Sequence, residues 1–362
     1  MAPPREASRF LDWVSYALLG AIGFALVGIL SPLLGSVLIP PRDVFQILLH
    51  QLSGGALFPQ PCAGTGTSAR LCGAYGTILW QIVVPQILLA LVVGAALGIS
   101  GGALQGIFRN PLADPFLLGI SSGGTIGAAL IYVYQFEIVR ADVYLPLFAF
   151  LGSITTGLVI LGIARGRFSS VETLLLAGVA LANLLSAILS LILLYNPAGS
   201  VQVTFWLLGG LGLATWSIDG IAFGAVLVIG TLLALHGREL NLIQLGNDVA
   251  QSAGVDARSV RLRVILLASM ATAVAVAFTG IIGFVGLVSP HIVRRIARPD
   301  YRVVLPGAAI VGAVFLLAAR DVSYLAFPGS VLPLGIFTAF AGVPFFLYLL
   351  YRQRRSTTMG GL

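Results

Sequence analysis

The chain contains no lysine; all twenty of its basic residues are arginine. A phosphate-binding loop of the GxxxxGK[ST] type uses its lysine to reach the nucleotide phosphates. This chain therefore carries no such ATPase site, and any ATP-driven step falls to another subunit. Charge of either sign is scarce: 9% of residues are charged and 58% are hydrophobic. Uncharged apolar stretches of about 18 residues or more recur along it, which excludes a soluble domain and predicts an all-α polytopic membrane protein. The net charge of +7 then reports topology and gives no reason to expect nucleic acid as a partner.

Chemistry-bearing clusters are also missing. His50, His236 and His291 lie far apart, and Cys62 and Cys72 share one hydrophilic loop. No spacing suits a metal, no nucleophile–base pair stands out, and HExxH is absent. No Asp or Glu falls mid-span; Glu172, Asp219 and Asp321 stand near predicted span ends. Ion-coupled carriers usually place ionisable groups near the membrane centre. That weighs against an ion-coupled secondary transporter, which stands as the alternative function.

Ten spans with both termini cytoplasmic are expected, forming one transmembrane domain over residues 1–362. The first is Val14–Leu38, whose 25 uncharged residues exceed the roughly 7–15 of a secretory signal core. Residues 39–77 form an extracytoplasmic loop with a short surface helix from Val44 to Leu52. Cys62 and Cys72 fall in this loop, where a disulfide and two free thiols are both open. Further spans are Thr77–Gly106, Pro115–Tyr134, Val143–Ala164, Leu174–Tyr195 and Trp216–Leu235, with residues 199–213 as a re-entrant or interfacial helix. The uncharged run Val264–Val293 is basic at both ends, so it reads as two crossings that bend near Gly280, Gly283 and Gly286. Val303 to about Ala319 follows, then a last segment to Tyr351 interrupted by Gly342 and Pro344. Sixteen arginines fall in segments read as inner and four, Arg42, Arg70, Arg140 and Arg320, in segments read as outer, the asymmetry expected of this layout.

Three stretches invite a functional reading. Gly94–Gly127 is a glycine-rich helical hairpin around the turn Arg109–Pro115, with Asp114 placed to cap a second helix that starts at Pro115. Asn183, Ser186 and Ser190 are spaced to share one helix face, suited to lining a pathway or to bonding a neighbouring helix. Residues 236–263 alternate apolar and polar positions, as in short amphipathic helices against a partner or the bilayer surface.

Five stretches taken together resemble the permease subunits of bacterial ABC importers for iron–siderophore complexes, haem and cobalamin. They are GAALGISGGALQGIFRNPLADPFLLGISSGG at 94–124, LLLAGVALANLLSAILS at 174–190, FWLLGGLGLATW at 205–216, LNLIQLGNDVAQSAGV at 240–255 and TGIIGFVGLVSPHIVRRIARPDYRVVLPGAAIVGA at 279–313. The resemblance implies a non-catalytic plasma-membrane subunit that pairs with a second permease copy, or with a paralogue, around a central pathway. Two ATPase subunits that bind ATP and magnesium would lie beneath it, and an extracytoplasmic substrate-binding protein above. It implies coupling helices within 237–263, with Leu245, Gly246, Ala250 and Gly254 at the matching positions. It also implies a cytoplasmic gate built from Asn110, Leu112, Ser170 and Val171. One departure stands out: where the family commonly has Arg-Leu-Pro-Arg for docking the binding protein, this chain has Val83-Val84-Pro85-Gln86. That leaves a differently charged partner, docking through Arg42, Arg70 or the cysteine loop, or a non-identical second permease. A relative repurposed for export or sensing is the further alternative.

Overall fold

A computed structural model describes residues 28–35, 37, 39–56, 67–134, 141–164, 171–326 and 333–359, with side chains at 67–72, 141–142, 164, 171, 198, 350 and 352–359 left aside. The described residues are helical and contain no strand. Among the described residues six helical stretches are long and apolar enough to cross a membrane: Gly73–Phe108, Val143–Ile163, Glu172–Tyr195, Trp216–Leu235, Ala257–Thr279 and Tyr301–Ala326. Shorter apolar helices join them, so the protein is a polytopic membrane protein.

The helices in chain order are α1 (Pro41–Leu52), α2 (Thr67–Ile78), α3 (Val84–Phe108), α4 (Ile120–Tyr134), α5 (Ala141–Ala164) and α6 (Val171–Tyr195). Then follow α7 (Ser200–Leu207), α8 (Trp216–Leu235), α9 (Gly237–Leu245), α10 (Asn247–Ser252), α11 (Ala257–Thr279), α12 (Val285–Ile296), α13 (Tyr301–Ala326) and α14 (Leu334–Met359). The first predicted span, Val14–Leu38, lies mostly outside the described residues.

Helix α3 is the axis of the bundle, packed against α13, α11, α12 and α8. Its glycines make this possible. A Cβ at Gly94 would run into the Gly312 carbonyl, one at Gly98 into that of Ala308, and one at Gly101 into that of Gly286. With no hydrophobic drive between helices in lipid, such backbone approach supplies the packing contacts. Gly123 and Gly127 of α4 repeat the device against Gly152 and Phe148 of α5.

Several boundaries depart from expectation. Helix α3 runs on to Phe108, and α2 reaches it through a π-helical turn at Leu79–Val83. The second arm of the hairpin does not start its helix at Pro115. Asp114 caps a short 3₁₀ turn, Pro115–Leu118, Gly119 then takes φ +70°, and α4 begins at Ile120. Nor do Gly342 and Pro344 interrupt the last helix; α14 is continuous through both. Gly342 instead receives the ring of Phe284, which enters α12 with φ +68°. The 264–293 run does divide in two, and α12 is only 12 residues long, about 18 Å, with residues 285–290 buried.

Candidate functional site: the turn and its coupling helices

At the end of the bundle where arginines gather, the 109–119 turn is a hub. Helix α3 closes with Arg109 at φ +49°. Asn110 N–H donates to Gln105 O at 3.2 Å and Arg109 N–H to Gly106 O at 3.4 Å, the paired bonds of a Schellman end. A left-handed arginine costs about 1 kcal/mol that glycine would not. Its guanidinium compensates by donating to Asn247 Oδ1 of α10 at 2.8 Å. The Asn110 side-chain oxygen accepts from Leu112 N–H at 2.9 Å, folding the turn upon itself. Asp114 Oδ1 accepts from Phe116 N–H at 2.9 Å, and burial pushes this carboxyl up to about 6.

Three elements converge on the last turn of α3 and the turn that follows it. From α9, the Gln244 amide donates to Gly106 O at 2.6 Å. From α12, the Gly286 carbonyl accepts from Gln105 Nε2 at 3.2 Å, and Arg294 donates to the Gln105 side-chain oxygen. From α6, Gly178 meets the Leu117 carbonyl, closely enough that no side chain fits there. Helix α9 is tied to the start of α13 as well. Asn241 donates to Asp300 Oδ1 at 2.6 Å and accepts from Tyr301 N–H at 2.9 Å. The side-chain bond from Arg302, helped by Asn241, holds the Asp300 carboxyl down to about 2.

The four expected coupling positions lie on this unit. Leu240 and Ile243 bury the inner face of α9, while Leu245 is 71% exposed at its tip. Gly246, at φ +132°, turns the chain from α9 into α10. Ala250 is fully buried and Gly254 takes φ +80° beyond α10. Beside them a cleft of about 480 Å³ is lined by Asn247, Gln251, Asp256, Arg258 and Arg261.

Of the expected gate residues, Asn110 and Leu112 sit half-buried in the turn, Val171 opens α6, and Ser170 lies outside the described residues. Asn183, Ser186 and Ser190 are exposed on α6. Asn183 donates back to Val179 O at 3.0 Å and Ser190 to Ser186 O at 2.9 Å. Cys62 lies outside the described residues, and Cys72 falls on α2 before its side chains are described. Among the described residues no three His, Cys, Asp or Glu side chains form a metal cluster.

At the opposite end, the two positions without docking arginines are turned inward. Val83 is buried against Gly35, and Gln86 accepts from Tyr324 Oη at 2.7 Å. Tyr324 lies under Arg320, which is 1% exposed and pairs with Asp321 at 2.8 Å. Arg320 also donates to Leu34 O at 3.0 Å, and Ser31 donates to Asp321. Reading the sequence alone placed Arg320 in an outer segment but missed this network, and it missed Gln105, Asn241, Gln244 and Asn247. Asn241 and Gln244 are three residues apart and so share one side of α9, whereas Asn247 stands beyond the Gly246 turn and no local spacing marks it.

The profile of the FecCD transport family matches residues 14–352. The chain belongs to the FecCD transport family. It is 40% identical over 283 residues to the hemin transport system permease protein HmuU of Yersinia pestis, covering 76% of this chain and 84% of that protein. It is 39% identical over 274 residues to the cobalamin import system permease protein BtuC of Halobacterium salinarum, covering 75% and 73% of the two. An uncharacterized ABC transporter permease of Bacillus subtilis, YvrB, is 37% identical over 341 residues, 92% and 93% of the two. A solved inward-facing structure assigned to the metal-chelate type of ABC transporter superposes with a TM-score of 0.72 at 28% identity, over 86% of this chain and 98% of that one. As a FecCD member the protein is a multi-pass inner-membrane permease subunit of an ABC importer. It is not itself an enzyme; ATP is handled by partner ATPase subunits, and a binding protein delivers the cargo.

Proposed function

We propose that this permease admits a metal chelate or metal-bearing tetrapyrrole (ferric siderophore, haem or cobalamin) to the cytoplasm, and that α9–α10 is the lever by which the ATPases move its gate. In this reading residues 1–362 act as one ten-span domain with both termini cytoplasmic. Two copies, or this chain and a paralogue, enclose the pathway, and the arginine-rich end faces the cytoplasm. Leu245, Gly246, Ala250 and Gly254 shape the surface seated on the ATPase. Asn110 and Leu112 from the turn, with Ser170 and Val171 at the head of α6, close the pathway. Asn183, Ser186 and Ser190 line it.

The supporting observation is a pair of bonds, Gln244 of α9 to Gly106 in the last turn of α3, and Arg109 at the head of the turn to Asn247 of α10. A rigid shift of α9–α10 pulls on the same turn that carries Asn110 and Leu112 and that touches α6 at Gly178. Packed helices joined this way move as units between discrete arrangements. The test uses the full permease–ATPase complex in proteoliposomes with its binding protein. With Arg109→Ala and Gln244→Ala combined, ATP hydrolysis persists while cargo uptake per ATP falls at least tenfold. Unchanged uptake per ATP overturns the lever. The absorption spectrum and mass of the molecule that co-purifies with the binding protein identify the cargo class.

A further inference from the structure

We propose that the groove between α3, α8 and α13 binds one acyl chain of an anionic phospholipid from the leaflet at the arginine-rich end. The groove encloses about 410 Å³, and its lining is almost wholly apolar. Its floor is open because Gly230 has no side chain; a Cβ there would meet only the Ile99 Cδ1 at 3.9 Å. Its rim carries Phe223, Leu227 and Ile310, each more than half exposed. The Thr231 hydroxyl, a polar group in the lining, is spent on Leu227 O at 2.7 Å.

Length and position select the occupant. Along α8 the lining runs from Phe223 to Ala234, about 17 Å at 1.5 Å per residue. That matches one leaflet of a hydrocarbon core about 30 Å thick. Ala234 is one residue from the end of α8, so the groove opens at the arginine-rich face. Arg302 lies one helical turn below Pro306 on α13, on the same side, and Gly237 packs against its backbone. Arg302 and Arg238 are both exposed at this mouth; Arg302 also holds the Asp300 carboxylate at 2.9 Å, and its guanidinium has further donors with which a lipid phosphate can pair. A second permease copy is a poorer occupant. Among the described spans the least covered is α6, which packs with α4 and α5 and makes no substantial contact with α8 or α13. A two-fold pair uses one self-complementary patch.

The test is native mass spectrometry of the full-length protein purified in mild detergent and supplied with phosphatidylglycerol or phosphatidylcholine. Wild type retains one phosphatidylglycerol per chain, at least fivefold more than phosphatidylcholine. Gly230→Leu fills the floor and lowers retention at least tenfold, with an unchanged melting temperature and oligomeric state. Arg302→Gln lowers it about threefold. Equal retention by Gly230→Leu, equal retention of the two lipids, or a change in oligomeric state without a change in lipid overturns the proposal.

Discussion

Helices α3 and α6 are each 25 residues long and nearly equal in mean hydropathy, yet their places in the molecule are opposite. In the most apolar stretch of each span, 61% of residues are buried for α3 and 6% for α6. Hydropathy does not separate them because lipid and protein interior are equally apolar. Glycine does: α3 has Gly94, Gly98, Gly101, Gly102 and Gly106, whereas α6 has only Gly178. That single glycine marks the place where α6 touches the turn. Within a membrane, the distribution of small residues reports which helix is central.

The sharpest way to break this comparison is to add a side chain to α3. Gly98→Leu drives carbon into the backbone of α13 at Ala308, where nothing flexible can yield. The expected loss exceeds about 3 kcal/mol, seen as loss of monodisperse protein on size-exclusion chromatography. Gly224→Leu on α8 meets nothing within 4 Å and is expected to purify and melt as wild type. If both variants behave alike, the packing account fails.

A comparable effect is expected at the far end of α13. Arg320→Leu removes the partner of Asp321 in a buried setting and costs about 3–5 kcal/mol by stranding the carboxylate. Adding Asp321→Asn recovers a large part of that loss, because pairwise removal strands no charge. Thermal melting of the two variants in one detergent measures the difference.

How far this was readable from sequence differs between the two ends of α3. The turn at Arg109–Asp114 was legible because its residues act locally: Asp114 caps and Pro115 starts a helical turn. Gly119 hid the break that delays α4 to Ile120: it caps the 3₁₀ turn at φ +70°, and the Gly178 carbonyl of α6 lies beside it, a tertiary contact. Gly342 and Pro344 misled for the same reason. The glycine serves Phe284, and α14 stays helical through Pro344, as membrane helices can. The Val83–Gln86 stretch could be seen to lack charge, but its inward packing with Tyr324 and Arg320 joins residues more than 230 positions apart, beyond any local pattern. The division of 264–293 into α11 and α12 was legible because basic residues at both ends favour a chain that turns back.

A smaller effect is expected in the turn itself. Asp114 has its carboxyl raised to about 6 from 3.8, so the folded state holds the proton more tightly than the unfolded chain. Its contribution to stability is therefore full below about pH 4 and is lost as pH rises through 6. Asp114→Asn keeps an acceptor for Phe116 N–H and removes that slope. The variant is expected to match wild type near pH 4 and to exceed it at pH 7.5 by about 1–3 kcal/mol. Melting curves across this range check both sign and window, and a variant less stable at pH 7.5 would show that Asp114 works there as a charged cap.

The smallest effect on the fold, and the most telling for function, is expected on α6. Leu184, Leu191 and Leu194 are all more than half exposed, and among the described residues the Asn183 side chain bonds its own helix at Val179 O. Asn183→Leu removes no contact with another element, so stability should stay within about 0.5 kcal/mol. A lipid-facing helix would accept leucine without consequence for transport. A pathway-lining helix would lose its polar contact with a passing solute and present a bulkier wall. We expect the second result: unchanged melting, unchanged ATP hydrolysis and a several-fold fall in uptake by the reconstituted complex. Unchanged uptake would turn Asn183 toward lipid, leaving Leu112 and its neighbours in the turn as the part of the pathway to probe next. It would also show that glycine content, which separates the central helix from the uncovered one, does not distinguish an uncovered helix facing cargo from one facing the bilayer.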